Sequence, residues 1–180
     1  MAKQGSDPVD ELLVMEAQDG DRRSMEELVR RWQRRLWTHA YQLTKDPEAA
    51  WDITQQTWLA VIRGLTKLHD PAKFKPWAYR IVTNKAVDYI KAKEPGRPLP
   101  DQPLEDTRAH DKSGSLLLEL LDRLAPNKKA ILVLYYLESL TIAEVSFVLG
   151  IPKGTVKSRL HKARNELKKL CQQGPEGGMR

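Results

Sequence analysis

Apolar residues recur at the spacing of one helix turn along most of the chain. No stretch keeps the strict alternation of apolar and polar residues that a half-buried strand requires. The pattern therefore predicts an all-α protein. The clearest run follows Ser24, where the apolar positions are Met25, Leu28, Val29, Trp32, Leu36 and Tyr41.

Residues that begin and end helices divide this pattern into segments. Ser24 with Glu27 three residues later forms a capping-box pattern and predicts one helix start. Asp46 before Pro47 predicts the next start, and Gly64 predicts the end of that helix. In this third helix we expect an inward apolar stripe of Trp51, Trp58, Val61, Ile62 and Leu65.

The helical pattern breaks at residues 94–114. This stretch holds prolines at 95, 98, 100 and 103, several acids and almost no apolar mass. Prolines at this density oppose both helix and buried sheet. We therefore predict two small helical domains, residues 1–94 and 114–180, joined by a flexible, proline-rich acidic linker at 95–113.

The second domain carries the pattern of a helix-turn-helix. Thr141 and Glu144 form a second capping-box pattern, which predicts the start of a short helix. Gly150 suits the residue that ends this helix, and Pro152 prevents it from continuing. A second amphipathic helix follows from about Lys153, which completes the helix-turn-helix spacing.

The outer face of that last helix is polar and basic. Side chains near the N-terminal end of a recognition helix reach base edges in the major groove, whereas those further along meet phosphates. A plain protein-interaction domain remains an alternative on pattern alone. The candidates for base edges are Thr155, Lys157, Ser158, His161 and Lys162, and those for phosphates are Arg159 and Arg164.

The distribution of charge favours a nucleic-acid partner over the alternative that the basic residues only form solvent-exposed helix faces. The formal net charge is +6, but the excess is concentrated in two blocks. Residues 73–93 carry Lys and Arg at six positions against the single acid Asp88, and residues 153–169 carry them at seven positions against Glu166. Two separated basic blocks suggest a polyanion that is contacted at two places.

Several classes of protein are excluded or disfavoured. The single Cys171 excludes an internal disulfide and a cysteine-based zinc site, and the histidines lack metal-ligand spacing. No apolar run approaches 18 residues and no signal-peptide core is present, which predicts a cytoplasmic protein. No clustered carboxylates, phosphate-cradling glycine loop or activated nucleophile occurs, so an enzyme acting on nucleic acid is disfavoured. We expect neither a cofactor nor a small-molecule substrate.

Three stretches resemble the extracytoplasmic-function (ECF) sigma factors, the short initiation subunits of bacterial RNA polymerase. The run "GTVKSRLHKAR" is similar to the recognition helix of that family. Upstream, "AWDITQQTWLAVIRGL" looks like its polymerase-binding helix, and "FKPWAYRIVTNKAVDYIKAK" like its promoter-melting and −10 helix. The resemblance covers roughly residues 8–94 and 115–170.

The resemblance implies roles for residues in the first domain. Core polymerase, through the clamp helices of its largest subunit, is expected to meet Asp52, Gln55, Gln56 and Arg63. Many relatives have an acid at the positions of Trp51 and Gln56, so Asp52 is expected to carry more of the charge pairing. The melted −10 strand is expected to contact Lys73, Arg80, Asn84, Lys85 and Asp88.

Three aromatic residues are further candidates for stacking on unpaired bases. They are Phe74, Trp77 and Tyr79. Trp77 falls on the apolar stripe of its helix and is better interpreted as a core residue, whereas Tyr79 fits either place.

The resemblance predicts a dissociable specificity subunit without chemistry of its own. Its partners would be the RNA polymerase core and promoter DNA, with the −35 duplex read by the second domain. An anti-sigma factor is a common inhibitor in that family and is a further expected partner. The alternative is a stand-alone helix-turn-helix regulator that binds DNA as a homodimer.

Overall fold

The computed structural model describes residues 6–93, 120–121 and 123–172. Within these ranges the secondary structure is helical and contains no strand, which confirms the all-α prediction. The predicted linker, residues 95–113, lies outside the described residues. The helices are α1 (Pro8–Gln18), α2 (Arg22–Thr44), α3 (Pro47–Gly64), α4 (Phe74–Lys93), α5 (Pro126–Leu132, continued by the π-helical Val133–Leu137), α6 (Ile142–Leu149) and α7 (Lys153–Gln172).

Helix α2 is the centre of the first unit, and α1, α3 and α4 pack around it. Its Trp32 is 1% exposed and meets two aromatic rings of α4. The ring centroids of Trp32 and Phe74 lie 5.5 Å apart, and those of Trp32 and Tyr79 lie 6.1 Å apart, both edge to face. Edge-to-face aromatic pairs add to the free energy gained by burial, so this cluster fixes α4 on α2.

Of the two helix starts that capping residues predicted in the first unit, one is wrong. Asp46 caps α3 as expected, since its Oδ1 accepts from the backbone N–H groups of Glu48 and Ala49 at 3.1 Å each. Helix α2, however, is capped by Asp21, whose carboxylate accepts from the Ser24 N–H at 2.9 Å. A carboxylate is a stronger acceptor than a hydroxyl, so the N-cap is Asp21, three residues before Ser24, and the helix begins at Arg22.

Helices α5, α6 and α7 form the second unit, with α7 packed against both others. Its apolar core is continuous with that of the first unit. The two units are also in direct contact, because α4 packs on α6 and α2 packs on α5. The core of the second unit is formed by Ile131, Leu134, Val145, Val148, Val156, Leu160 and Ala163.

His39 of α2 is a buried titratable group at the interface with α4. Its Nε2 lies 2.9 Å from the Thr83 hydroxyl, while its Nδ1 has no hydrogen-bond partner within the described residues. The ring also meets Tyr79 edge to face at 5.1 Å. Burial lowers the pKa of His39 to about 4, so the folded chain holds this imidazole neutral.

Acid is therefore expected to destabilise the first unit before the carboxylates titrate. The pKa of His39 is lower in the folded chain than its ordinary value of 6.5. Its contribution is thus fully present above pH 6.5 and is lost as the pH falls toward 4. The loss amounts to about 3 kcal/mol in the free energy of unfolding. Urea unfolding at a series of pH values measures it.

The variant His39→Gln keeps a hydrogen-bonding side chain beside Thr83 but does not titrate. We expect its unfolding free energy to be nearly flat between pH 6.5 and 4, whereas the variant at exposed His69, His69→Gln, should follow the wild type. An unchanged slope in His39→Gln would refute the assignment to His39.

Candidate nucleic-acid interface

The turn between α6 and α7 has the geometry that the sequence predicted. Thr141 caps α6 in a capping box, with its Oγ1 accepting from the Glu144 N–H at 3.2 Å. Gly150 ends α6 in the left-handed region at φ 64°. The Ser146 hydroxyl donates to the Ile151 carbonyl at 2.6 Å, which closes the turn. The helix-turn-helix prediction is confirmed.

Helix α7 separates an apolar face from a polar one. Val156, Leu160 and Ala163 are buried against the rest of the unit. The candidate −35 residues lie on the other side: Thr155 and Arg159 are half-buried, and Lys157, Ser158, His161, Lys162 and Arg164 are exposed. The structure therefore places these candidates together on one accessible surface.

Local hydrogen bonds orient part of that surface. The Ser158 hydroxyl donates to the Thr155 carbonyl at 3.0 Å, which leaves its oxygen free to accept from a base or a water. His161 Nε2 lies 3.0 Å from the Asn165 amide nitrogen one turn later. Arg164 donates to the Tyr136 hydroxyl at 3.4 Å. The outer face thus carries donors and acceptors in addition to charge.

Three of the candidate −10 residues on α4 follow one line along the helix. Arg80, Asn84 and Asp88 are spaced four residues apart and share one side of α4. Asn84 and Asp88 are exposed, while Arg80 and Lys85 are half-buried. Exposed Lys73 precedes them in the 3₁₀ turn Pro71–Lys73. The structure therefore places Arg80, Asn84 and Asp88 on one side of α4, while Lys85 lies about 100° around the helix from Asn84.

The Arg80 end of this line is covered by α6. The Arg80 Nη1 donates to the carbonyls of Phe147 at 2.7 Å and Val148 at 3.2 Å. Its guanidinium also lies 5.7 Å from the centre of the Phe147 ring. Sequence reasoning missed this contact, because nothing local to either segment indicates a pairing 67 residues apart in the chain.

Two lysines beside Arg80 also face acids of the second unit. Lys73 Nζ lies 4.0 Å from Glu144, and Lys75 Nζ lies 3.8 Å from Glu138. Burial lowers the pKa of Lys75, against the opposing charge of Glu138. Glu138 also accepts a hydrogen bond from Tyr79, whose pKa is raised by burial and by that carboxylate. The N-terminal part of the first basic block therefore faces negative groups of the second unit, whereas Lys93 pairs with Asp46 of the first unit.

Two of the three aromatic stacking candidates are core residues. Phe74 and Tyr79 are each 1% exposed, so neither presents a ring face to a base. Trp77 is half-buried and packs against Phe74 and Gly64. The prediction that Trp77 belongs to the core is consistent with this placement, and the stacking role is wrong for Phe74 and Tyr79.

The outer face of α3 differs from the sequence prediction. The expected polymerase-binding residues Asp52, Gln55, Gln56 and Arg63 are exposed. Trp51 and Ile62 were expected to point inward, yet they are 45% and 56% exposed. Leu59, which the sequence did not single out, is 53% exposed and lies at the centre of this face.

Two threonines explain the misplaced stripe. Thr54 and Thr57 are buried, and their hydroxyls donate to the carbonyls of Ala50 and Ile53 at 2.7 Å each. A threonine hydroxyl bonded to the carbonyl one turn earlier needs no water, so both side chains fit an apolar face. The inward face of α3 therefore includes the two threonines and is rotated relative to the predicted stripe. Trp51 and Ile62 lie at the outer edge of this face.

Other kinds of site find little support in the described part of the chain. A groove of about 580 Å³ lies between the units, and its lining includes Asp10, Arg35, Lys75, Glu138 and Glu144. Among the residues placed by the structure, no cluster of three His, Cys, Asp or Glu side chains is arranged to hold a metal ion. None of the described helices is long and apolar enough to cross a bilayer.

Comparison with known proteins decides the family. The model of Sigma-70 region 2 matches residues 28–95, and that of Sigma-70, region 4 matches residues 115–167. The chain is 32% identical over 154 residues to the ECF RNA polymerase sigma factor SigM of Mycobacterium tuberculosis, with 84% of this chain and 79% of SigM covered. The chain belongs to the ECF sigma factors. The resemblance stated from the sequence is confirmed.

Two further relatives support the same assignment. The ECF sigma factor SigE of Mycolicibacterium smegmatis is 35% identical over 156 residues, covering 81% of this chain and 60% of SigE. This chain thus spans about three-fifths of that relative. The sigma factor RpoE from Bartonella quintana, solved with the anti-sigma factor NepR, has a TM-score of 0.65 at 20% identity, covering 82% and 96% of the two chains. This likeness supports the two-domain helical fold. The two Sigma-70 region matches and the sigma-factor relatives do not favour the stand-alone regulator.

The rotated inward face of α3 predicts how substitutions along it affect stability. Ile62→Ser removes an exposed side chain and should change the free energy of unfolding by less than about 0.5 kcal/mol. Val61→Ala removes fully buried methyl groups at the neighbouring position and should cost about 2 kcal/mol. Urea unfolding of both variants provides the comparison. Equal costs would contradict the outward placement of Ile62.

Proposed function

We propose that this ECF sigma factor directs core RNA polymerase to promoters through three surfaces on its two units. The outer face of α3 docks on the clamp helices of the largest polymerase subunit. The polar face of α7 reads the −35 duplex, and the exposed line on α4 holds the melted −10 strand. The observation that carries this proposal is that the −35 candidates share one accessible face of α7, while exposed Asn84 and Asp88 lie on α4 of the other unit.

The α3 face has the composition of a protein interface. Leu59, Ile62 and Trp51 supply exposed apolar area, and polar side chains surround them. An apolar centre with a polar rim is typical of a surface that a partner covers. The apolar residues offset the missing acids at positions 51 and 56, so docking depends less on charge than in relatives with more carboxylates. The polar rim is Asp52, Gln55, Gln56 and Arg63.

The α7 face suits a major groove. Lys157, Ser158 and His161 present donors and acceptors near the N-terminal half of the helix, where a recognition helix meets base edges. Arg159 and Arg164 lie further around and suit phosphates, which position the helix without reading sequence. Thr155 and Lys162 flank the base-reading residues.

The α4 line suits an unpaired strand. Asn84 is exposed and its amide offers one acceptor and two donors to the edge of a base. Lys73, Arg80 and Lys85 supply cations for the backbone, and strand capture needs such charges to offset the cost of unstacking. Asp88 at the end of the line can accept from an exocyclic amine.

The remaining features follow from this role. A subunit of this kind carries no catalytic chemistry, cofactor or small-molecule substrate, since the polymerase performs the reaction. The proposed partners place it in the cytoplasm with the polymerase and the chromosome. An anti-sigma factor is a proposed inhibitor, supported by the complex of the Bartonella quintana RpoE with NepR. The proline-rich residues 95–113, the proposed tether between the units, lie outside the described residues.

DNA binding should depend on core polymerase. The free chain is expected to bind promoter DNA weakly at physiological salt, because a few phosphate contacts are readily screened. Adding core polymerase should raise specific binding sharply and start transcripts at discrete positions. A pull-down with core polymerase, followed by run-off transcription from genomic fragments, measures both effects. Tight binding of the free chain to a palindromic site as a homodimer would instead support the stand-alone regulator.

Docking through α3 can be tested with a matched pair of variants. Leu59→Ser with Ile62→Ser removes two exposed aliphatic side chains from the proposed interface and should weaken core binding at least tenfold. Val9→Ser with Leu12→Ser removes two similarly exposed side chains, 49% and 54%, from α1 and should leave core binding unchanged. Fluorescence titration with core polymerase gives both affinities. Equal affinities for the two double variants would refute the α3 interface.

A further inference from the structure

The last turn of α4 carries two lysines that leave the helix in opposite directions. Helix α4 ends at Lys93, and Lys91 precedes it in the same turn. Residues two positions apart on an α-helix are separated by about 200° around the axis. Both lysines are exposed, so burial does not distinguish them. The difference between them lies in what each side chain contacts.

Lys93 points toward the first turn of α3. Its Nζ lies 3.5 Å from the Oδ2 atom of Asp46, the N-cap of α3, and donates to the Tyr89 hydroxyl at 3.4 Å. The ammonium also lies 5.6 Å from the centre of the Tyr89 ring. The hydrogen bond to Tyr89 is the main cause that raises the pKa of Lys93, and the charge of Asp46 adds to it. Lys93 is therefore engaged within the first unit.

The Asp46 carboxylate holds the start of α3 and the end of α4 together. Its Oδ1 accepts from the Ala49 N–H at 3.1 Å, as the cap of α3, whereas its Oδ2 accepts from the Tyr89 hydroxyl at 3.0 Å. The N–H of Ala49, and then Tyr89 and Lys93, lower the pKa of Asp46, so the carboxylate stays ionised at neutral pH. A charge-assisted hydrogen bond is stronger than one between neutral groups. The contact between Tyr89 and Asp46 therefore fixes the last turn of α4 on the first unit.

Lys91 lies on the side of α4 that carries Asn84 and Asp88. It follows Asn84 by seven residues, which is a difference of about 20° around the helix, and Asp88 by three. Within the part of the chain that the structure describes, Lys91 makes no hydrogen bond or ion pair. Arg80, at the other end of this side, is covered by α6 instead. Lys91 is thus an accessible cation beside the two exposed −10 candidates.

We propose that Lys91 is a further residue of the −10 surface and contacts a phosphate of the promoter strand, with Asp46 and Tyr89 as the residues that position it. This inference rests on the proposed role of α4 and adds a backbone contact to it. Lys91 lies about 10 Å beyond Asn84 along the helix axis, a distance that about three nucleotides of a stacked strand cover. A strand that runs along this side of α4 therefore passes Lys91 with its backbone. Lysine suits this contact, because a phosphate is recognised by charge and carries no sequence information.

The position of Lys91 depends on Asp46 because the end of α4 is otherwise little buried. Residues 91–93 are exposed, and the last buried residue of the helix is Ala86. Exposed helix ends open locally at a small cost in free energy. If the last turn opened, Lys91 would leave the side of Asn84, and DNA binding would have to order the turn again. The Tyr89 hydroxyl opposes this opening through its hydrogen bond to Asp46.

The first measurement compares the two lysines in the full chain. A fluorescein-labelled single-stranded DNA of random sequence is titrated at a series of salt concentrations, without polymerase. Lys91→Gln should bind about threefold more weakly at low salt and make the log–log salt slope shallower by about 0.7, the value for one phosphate of a single strand. Lys93→Gln is the matched control and should keep the wild-type slope, because it removes the same charge from the opposite side of the same turn. Equal slopes for the two variants would overturn the proposal.

The second measurement tests the positioning of Lys91 by Asp46 and Tyr89. Tyr89→Phe removes only the hydroxyl, so the aromatic ring and the net charge of the chain are kept. It should weaken binding of the same DNA about twofold in the wild-type background and have no effect in the Lys91→Gln background, where no lysine is left to position. A purely structural role of the hydroxyl would weaken binding equally in both backgrounds. That result, or unchanged binding in both, would overturn the positioning role.

Run-off transcription with core polymerase separates failure of this inference from failure of the proposed function. If only the role of Lys91 is wrong, Lys91→Gln and Lys93→Gln bind DNA alike, yet the wild type and both variants direct initiation. If the proposed function is wrong, the wild type does not direct initiation with core polymerase, whatever the DNA titrations show.

Discussion

The packing of α4 on α2 is the constraint on which the other surfaces depend. Trp32 of α2 meets Phe74 and Tyr79, which lie in the first two turns of α4. These three rings set both the position of α4 and its rotation. A shift of one residue in that rotation would turn α4 by about 100° and carry Arg80 and Asn84 to a different side. The accessible line on α4 therefore exists because three aromatic side chains are buried beneath it.

Tyr79 connects this core to the boundary between the units. Its ring is buried against Trp32 and His39, while its hydroxyl reaches the Glu138 carboxylate of the second unit. Glu138 is in turn beside Lys75. Tyr79 thus belongs both to the core of the first unit and to the charged contacts with Glu138 at the boundary between the units. A change that moves Tyr79 would therefore also alter its contact with Glu138, the residue directly after α5.

The features that the sequence predicted well are those fixed by nearby residues. Thr141, Glu144, Gly150 and Pro152 determine the helix-turn-helix through contacts within a dozen positions, and the structure has the predicted turn. The spacing of apolar residues likewise predicted the helices and the polar face of α7. The family resemblance supplied candidate roles that periodicity alone could not assign. Those roles remain predictions at the level of single residues.

The wrong predictions for the start of α2 and the inward face of α3 have local physical causes. The contact of Arg80 with α6, which the sequence did not predict, depends on long-range packing. Asp21, and not Ser24, caps α2, because its carboxylate accepts from the Ser24 N–H. Thr54 and Thr57 are buried in the core, because their hydroxyls donate to backbone carbonyls one turn earlier. Because threonine counts as polar in a hydrophobic pattern, the predicted inward face of α3 included Ile62 and left out Thr54 and Thr57. The pairing of Arg80 with α6 depends on how two distant segments meet, and no spacing within either segment encodes that meeting.

The contact of Arg80 with α6 constrains how the chain can vary. Arg80 Nη1 donates to two carbonyls at the C-terminal end of α6, which have no partner within that helix. A shorter or neutral side chain at this position would remove a donor and the positive charge that this end of the helix favours. Substitutions in α4 and in the helix-turn-helix are therefore not independent of each other, although 67 residues separate the two positions in the chain.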